Sequence, residues 1–139
     1  MNIHKSSNLY VISAPSGAGK TSLVRELCKR VAFIRPSISY TTRKIRKSEI
    51  DGKDYFFTSR EHFESMISKH QFIEYQNVYG NLYGSTKEHV FDQLDNGHDV
   101  ILEIDYKGMM KIKSMYPEAI TIYIVPPSID SLRERLISR

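Results

Sequence analysis

The run Ala-Pro-Ser-Gly-Ala-Gly-Lys-Thr at residues 14–21 constrains this chain more than any other feature. It follows a short continuous apolar run, Leu9-Tyr10-Val11-Ile12, of the kind buried on both faces of a parallel sheet. Beyond it, Leu23, Val24, Leu27 and Val31 recur at helical spacing to about Phe33. Strand, glycine loop and helix in that order make a P-loop. Gly17 and Gly19 allow close backbone approach to phosphate, and the helix N-terminus adds N–H donors and its positive dipole end. The pattern predicts that Ser16, Gly17, Ala18, Gly19, Lys20 and Thr21 hold the phosphates of a nucleoside triphosphate, taken as ATP. Lys20 is expected to reach the β and γ phosphates, and the Thr21 hydroxyl to ligate Mg²⁺. Ala14 stands where the strict pattern has glycine.

Residues 99–104 and 119–125 read as two more strands, separated by a helix near residues 107–115 that Tyr116-Pro117 ends. This alternation predicts an α/β fold, a P-loop NTPase-type parallel sheet flanked by helices. The middle of the chain has another texture. Asp51-Gly52 and Gly80-Asn81 are hairpin-type turn signals, beside aromatic strands at Tyr55-Phe56-Phe57 and Phe72-Ile73-Glu74-Tyr75. A capping box of Thr58 with Glu61 opens a short helix carrying Phe63, Met66 and Ile67. The expected organisation is a core of residues 1–36 and 90–139 with a small mixed α+β insertion at 37–89. Met109, Met110 and Met115 read as core or gap filler. Residues 128–139 begin as a capped helix without a closing Gly or Pro, so the chain is expected to stop inside an element or just before a loop.

Composition narrows the class without choosing a partner. A chain of 139 residues suits one buried core. No apolar run approaches membrane-spanning length, the polar N-terminus lacks a signal-peptide core, and the use of one cysteine fits a reducing cytosol, the expected location. The single cysteine, Cys28, excludes an internal disulfide framework. His4, His62, His70, His89 and His98 lack metal-ligand spacing, and no zinc site is expected. A net charge of +4 suits a phosphate-rich partner.

Two further segments carry candidate chemistry. Glu103-Ile104-Asp105 closes a strand, where open α/β sheets place their ligand sites. Asp105 is a candidate for the outer coordination of the magnesium or for a substrate amino group, and it is equally a cap for the next helix; Glu103 is the weaker candidate. Thr41-Thr42-Arg43-Lys44-Ile45-Arg46-Lys47 has three readings: a solvated basic loop, a nucleic-acid patch, or a guanidinium clamp. In the clamp, Arg43 and Arg46 would hold an acceptor's phosphate, for which the planar guanidinium fork is suited.

Taken together, the P-loop, Ser39-Tyr40-Thr41-Thr42-Arg43-x-x-Arg46, Asp51-Gly52-x-Asp54-Tyr55-x-Phe57, Tyr79-Gly80-Asn81-x-Tyr83-Gly84 and Leu102-Glu103-Ile104-Asp105 resemble guanylate kinase over nearly the whole chain. The resemblance implies Mg²⁺-assisted phosphorylation of GMP to GDP by ATP. It implies that Arg43, Arg46, Tyr55 and Tyr83 hold the GMP phosphate, with Ser39, Glu74 and Ser85 around the guanine, and it leaves Asp105 between the magnesium and the guanine. Guanine chemistry agrees with that set. Its N1–H and 2-amino group can both donate to one carboxylate, while a serine hydroxyl donates to O6. Adenine would set an acceptor against Glu74. Taken without the resemblance, Glu74 is a solvated strand residue, and Tyr55 and Tyr83 are packing aromatics.

Lys20, Arg43, Arg135 and Arg139 are the implied catalytic cations, the last two at the start of a lid that begins near residue 130 and is incomplete. Arg135 and Arg139 are equally an exposed basic helix face. A GMP phosphate oxygen is already anionic, so no general base is expected. With so little of the lid present, the chain is expected to bind GMP but to catalyse poorly. The implied partners are small molecules, with no nucleic acid and no membrane, in a monomer or homodimer. Two alternatives stand beside this: a related protein-binding module without catalysis, against which Lys20 and Thr21 argue, and a P-loop kinase for another phosphorylated acceptor, which would not need Ser39 with Glu74.

Overall fold

The computed structural model describes residues 6–15 and 20–138, with the backbone alone at Lys20 and Thr21. Strand β1 (Leu9–Ser13) leads toward helix α1 (Lys20–Arg30), then β2 (Ile34–Pro36), β3 (Tyr40–Thr41) and β4 (Phe56–Phe57). Helix α2 (Arg60–Ser68), the hairpin of β5 (Phe72–Val78) and β6 (Asn81–Thr86), and helix α3 (Lys87–Asp95) follow. The chain ends its described course in β7 (Asp99–Glu103), α4 (Tyr106–Met115), β8 (Ile120–Tyr123) and α5 (Ile129–Ile137).

The first sheet runs β2-β7-β1-β8 and all its pairs are parallel. Strand alternation sends neighbouring side chains of its central strands to opposite faces. Val11, Val100 and Leu102 meet Val90, Met109 and Ile112 in one cluster, while Ile12 and Ile101 meet Val24 in another. Helices α3 and α4 thus supply apolar cover on one face and α1 on the other, as the continuous apolar runs predict. The strand β2 is an unpredicted edge element, short enough to tolerate Pro36 at its end.

The second sheet runs β4-β3-β6-β5 and is mixed, with β3 parallel to β4 and antiparallel to β6. Its core is Phe63, Met66, Phe72 and Leu82, with Tyr40 and Ile67 against it. Gly84 lies where a Cβ would come within 2.8 Å of the Phe72 ring and 2.9 Å of the Tyr75 Cβ, so glycine is what lets the β5–β6 pair close over that core. The two sheets are not independent. Ile73 of β5 belongs to the cluster of the parallel sheet.

Several local expectations are corrected. Helix α2 is capped by Ser59, whose hydroxyl accepts from His62 N, rather than by Thr58. The Thr58 amide is still donating to Thr41 O in the strand ladder, which delays the helix by one residue. The hairpin turn is Tyr79-Gly80, with φ of 50° and 87°, and Asn81 already pairs with Val78. Gly52 does make a turn at φ 81°, but no antiparallel hairpin forms around it because β3 and β4 run parallel. Met109 is buried, whereas Met110 and Met115 are exposed.

Candidate functional site

Ser39, Tyr55, Glu74, Tyr83 and Ser85 line one cavity of about 530 Å³, whose wall is completed by Leu102, Glu103 and Ile104 at the end of β7. Both sheets therefore contribute to it. Its inner end is built by an irregularity in β5. Phe72 pairs with Thr86 and Glu74 with Ser85, so Ile73 is one residue too many and the ladder bulges. A regular strand would hide alternate residues; here Phe72, Ile73 and Glu74 are all buried. Glu74 is only 5% exposed.

Beside it the Ser39 and Ser85 hydroxyls lie 3.3 Å apart. Burial pushes the Glu74 carboxyl up to about 7, the Asp105 charge pushes the same way, and Lys111 and the Ser85 backbone N–H oppose them. Asp105 itself lies outside the cavity wall. It caps α4, its Oδ1 accepting from Gly108 N at 2.8 Å. A Cβ on Gly108 would sit 3.6 Å from Glu74 Oε2, so glycine at this position leaves the first turn of α4 close to the carboxylate.

The outer end is aromatic and charged. The Tyr55 and Tyr83 rings meet edge to face at 5.9 Å, and Arg43 Cζ lies 5.4 Å from the centre of the Tyr55 ring and 5.9 Å from that of Phe57. The Arg43 fork is engaged by Glu49, with Nη1 donating to Oε1 at 2.9 Å and Nη2 to Oε2 at 2.7 Å. That pair holds the Glu49 carboxyl down to about 2 and raises the Arg43 guanidinium. Burial raises the Tyr55 hydroxyl. Arg46 is exposed, and its backbone N–H donates to Glu49 Oε1.

The remaining candidates are spread elsewhere. Arg135 is exposed on α5 and is not part of the cavity wall. Ser16, Gly17, Ala18, Gly19 and Arg139, with the Lys20 and Thr21 side chains, lie outside the described residues. The backbone order around them is the expected one: β1 ends at Ser13 and α1 begins at Lys20. Ile12 pairs with Glu103, so the Glu103–Asp105 segment leaves the sheet on the side where the glycine loop begins. Among the described residues no group of three His, Cys, Asp or Glu side chains could hold a metal ion, and no helix is long and apolar enough to cross a membrane. Glu49, the Ile73 bulge and Gly108 are absent from the sequence reading. Of these only Glu49 leaves a signal, a single acid six residues after Arg43 at the end of a basic run.

A family model described as guanylate kinase matches residues 6–139. The chain is 50% identical over 133 residues to the guanylate kinase of Coxiella burnetii and 48% identical over 136 residues to that of Pseudomonas fluorescens. These matches cover 96% and 98% of this chain but only 65% and 66% of those proteins. The crystal structure of guanylate kinase from Anaplasma phagocytophilum superposes with a TM-score of 0.77 at 34% identity, covering 96% of this chain and 68% of that one.

Proposed function

Because this chain belongs to the guanylate kinase family, we propose that it transfers the terminal phosphoryl group of ATP to GMP, giving GDP. One observation carries the choice of acceptor: a carboxylate, Glu74, buried in a cavity with the Ser39 and Ser85 hydroxyls beside it. A buried carboxylate with no cation bonded to it among the described residues favours a ligand that brings donors. Guanine brings two, side by side, and its O6 can accept from a serine. Arg43, Arg46, Tyr55 and Tyr83 would then receive the phosphate at the outer end, with Asp105 near the 2-amino group.

On this reading residues 37–89 bind the acceptor and the remaining segments, 1–36 and 90–139, bind the donor. Ser16, Gly17, Ala18 and Gly19 would wrap the ATP phosphates. Lys20, Arg43, Arg135 and Arg139 would spread positive charge around the phosphoryl group in flight. The attacking GMP oxygen is already an anion, so catalysis is alignment of two nucleotides and neutralisation of charge. The donors this reading assigns, the Thr21 hydroxyl and the Asp105 carboxylate, are oxygens and would suit magnesium, which prefers hard ligands and keeps several waters. Thr21 would ligate the ion, and the ion's water shell is the alternative role for Asp105 to the 2-amino group. When bound, the ion supplies further neutralisation of phosphate charge. We place the chain in the cytoplasm as a monomer or homodimer.

The test is ADP release in a coupled assay with GMP, AMP, CMP and UMP in turn. Stimulation by GMP alone is expected. Equal stimulation by AMP would overturn the reading.

A further inference from the structure

We propose that Glu49 is a positioning residue for the outer end of the cavity, holding the Arg43 guanidinium by its Nη1–Nη2 edge so that the Nε edge is presented to a phosphate monoester. This rests on the reading above, in which Arg43 meets the acceptor's phosphate.

The first support is the character of the pair. Two other Arg–Glu contacts, Arg30–Glu26 and Arg60–Glu64, are each made through Nε on an exposed helix face. Their side chains are 76% and 52%, and 53% and 57%, exposed. Those are ordinary surface pairs of small consequence. Arg43 and Glu49 are 14% and 15% exposed and joined by two parallel bonds. This pair is built into the fold.

The second support is how Glu49 is held. Its Oε1 accepts from Arg46 N at 2.8 Å, and its own N–H donates to Arg46 O at 3.0 Å. A carboxylate meant to leave when a phosphate arrives would have to give up the Arg46 amide as well as the guanidinium. Pinned by backbone at one end and by the fork at the other, it is suited to remain.

The third is the count of donors on Arg43. A guanidinium has five N–H groups. Nη1 spends one on Glu49 and one on Lys44 O at 3.0 Å, and Nη2 spends one on Glu49. Neither Glu49 nor Lys44 takes Nε–H or the second Nη2–H, which lie parallel along the other edge of the plane and match two oxygens of a phosphate, with the Tyr55 and Tyr83 hydroxyls near enough to interact with the same guanidinium. The Tyr83 hydroxyl lies close enough to act on the guanidinium charge, and Tyr83 is part of the cavity wall. The Tyr55 ring supports the plane. The guanidinium is thereby set in one orientation before any ligand arrives, which removes an ordering cost from binding.

Charge alone makes the opposite prediction, and that is what makes the proposal testable. Removing an anion beside a phosphate site should tighten phosphate binding if Glu49 is only a competitor. GMP and guanosine should be titrated, by amide chemical shifts, into the parent, Glu49→Gln and Glu49→Asp, with thermal unfolding of each recorded. Asp keeps the charge but is one methylene too short for the fork. Both variants should bind GMP about tenfold more weakly while guanosine, which has no phosphate, stays within about twofold. Tighter GMP binding by Glu49→Gln would overturn the proposal in favour of competition. Equal weakening of GMP and guanosine would overturn it in favour of a general structural role. A parent that fails to bind GMP would instead overturn the functional reading on which the proposal stands.

Discussion

The two ends of the cavity manage charge in opposite ways. At the inner end Glu74 is buried, has no cation bonded to it among the described residues, and is left with a carboxyl pushed up to about 7. At the outer end Arg43 and Glu49 neutralise each other through a bidentate pair close to solvent. The inner end stores an unfavourable charge that a ligand's donors can relieve, while the outer end holds a satisfied charge in a fixed orientation. On the proposed reading, the inner end would govern which base is accepted, and the outer end how its phosphate is aimed.

The largest effect should appear in stability, without any ligand. The Glu74 carboxyl in the folded chain titrates near 7, above its ordinary 4.5. Between those values the folded chain holds a proton that the unfolded chain has released, so stability falls as pH rises from about 4.5 to about 7 and then levels. Glu74→Gln should remove that slope and leave the unliganded chain more stable at pH 8, by on the order of 2–3 kcal/mol. Denaturant unfolding of parent and variant at pH 5 and pH 8 measures it. A parent with no such slope would remove the asymmetry between the two ends.

The same substitution should weaken GMP by on the order of 1–3 kcal/mol and leave ATP affinity unchanged, because an amide sets its NH₂ against one guanine donor. Calorimetry with each nucleotide decides this. The smallest effect belongs to the outer end. Arg43→Lys keeps the charge but loses the fork, and should raise the KM for GMP by about five- to tenfold. Parent-like kinetics would reduce Arg43 to a general cation.

The parallel sheet was far more legible than the mixed one, for physical reasons. Leu9, Val11, Ile12 and Val100–Leu102 are buried, covering both faces, and a continuous apolar run announces that directly. The strands β3 and β4 are two residues each, too short for any periodicity, and β2 has one apolar residue beside an arginine and a proline. The burial of Glu74 goes with a bulge at Ile73 and with the close approach, at Gly108, of a helix distant in sequence, and neither is a local property of the sequence. The family motifs picked out Arg43 but not Glu49, because an acid after a basic run reads as surface until its two bonds to one fork are seen. Ser59 and Tyr79 were missed by a single position each, since neighbouring residues offered the same turn and cap chemistry.

The central claim is that a buried carboxyl at the inner end waits for guanine's two donors. Carboxyl NMR of the side chain of Glu74, titrated with acid in the free chain and again with saturating GMP or AMP, tests it most directly. The account predicts titration near 7 in the free chain, a fall of more than about one unit with GMP as the ionised form gains two hydrogen bonds, and no fall with AMP. Titration in the ordinary carboxylate range in the free chain, or the same curve with GMP as with AMP, would contradict it.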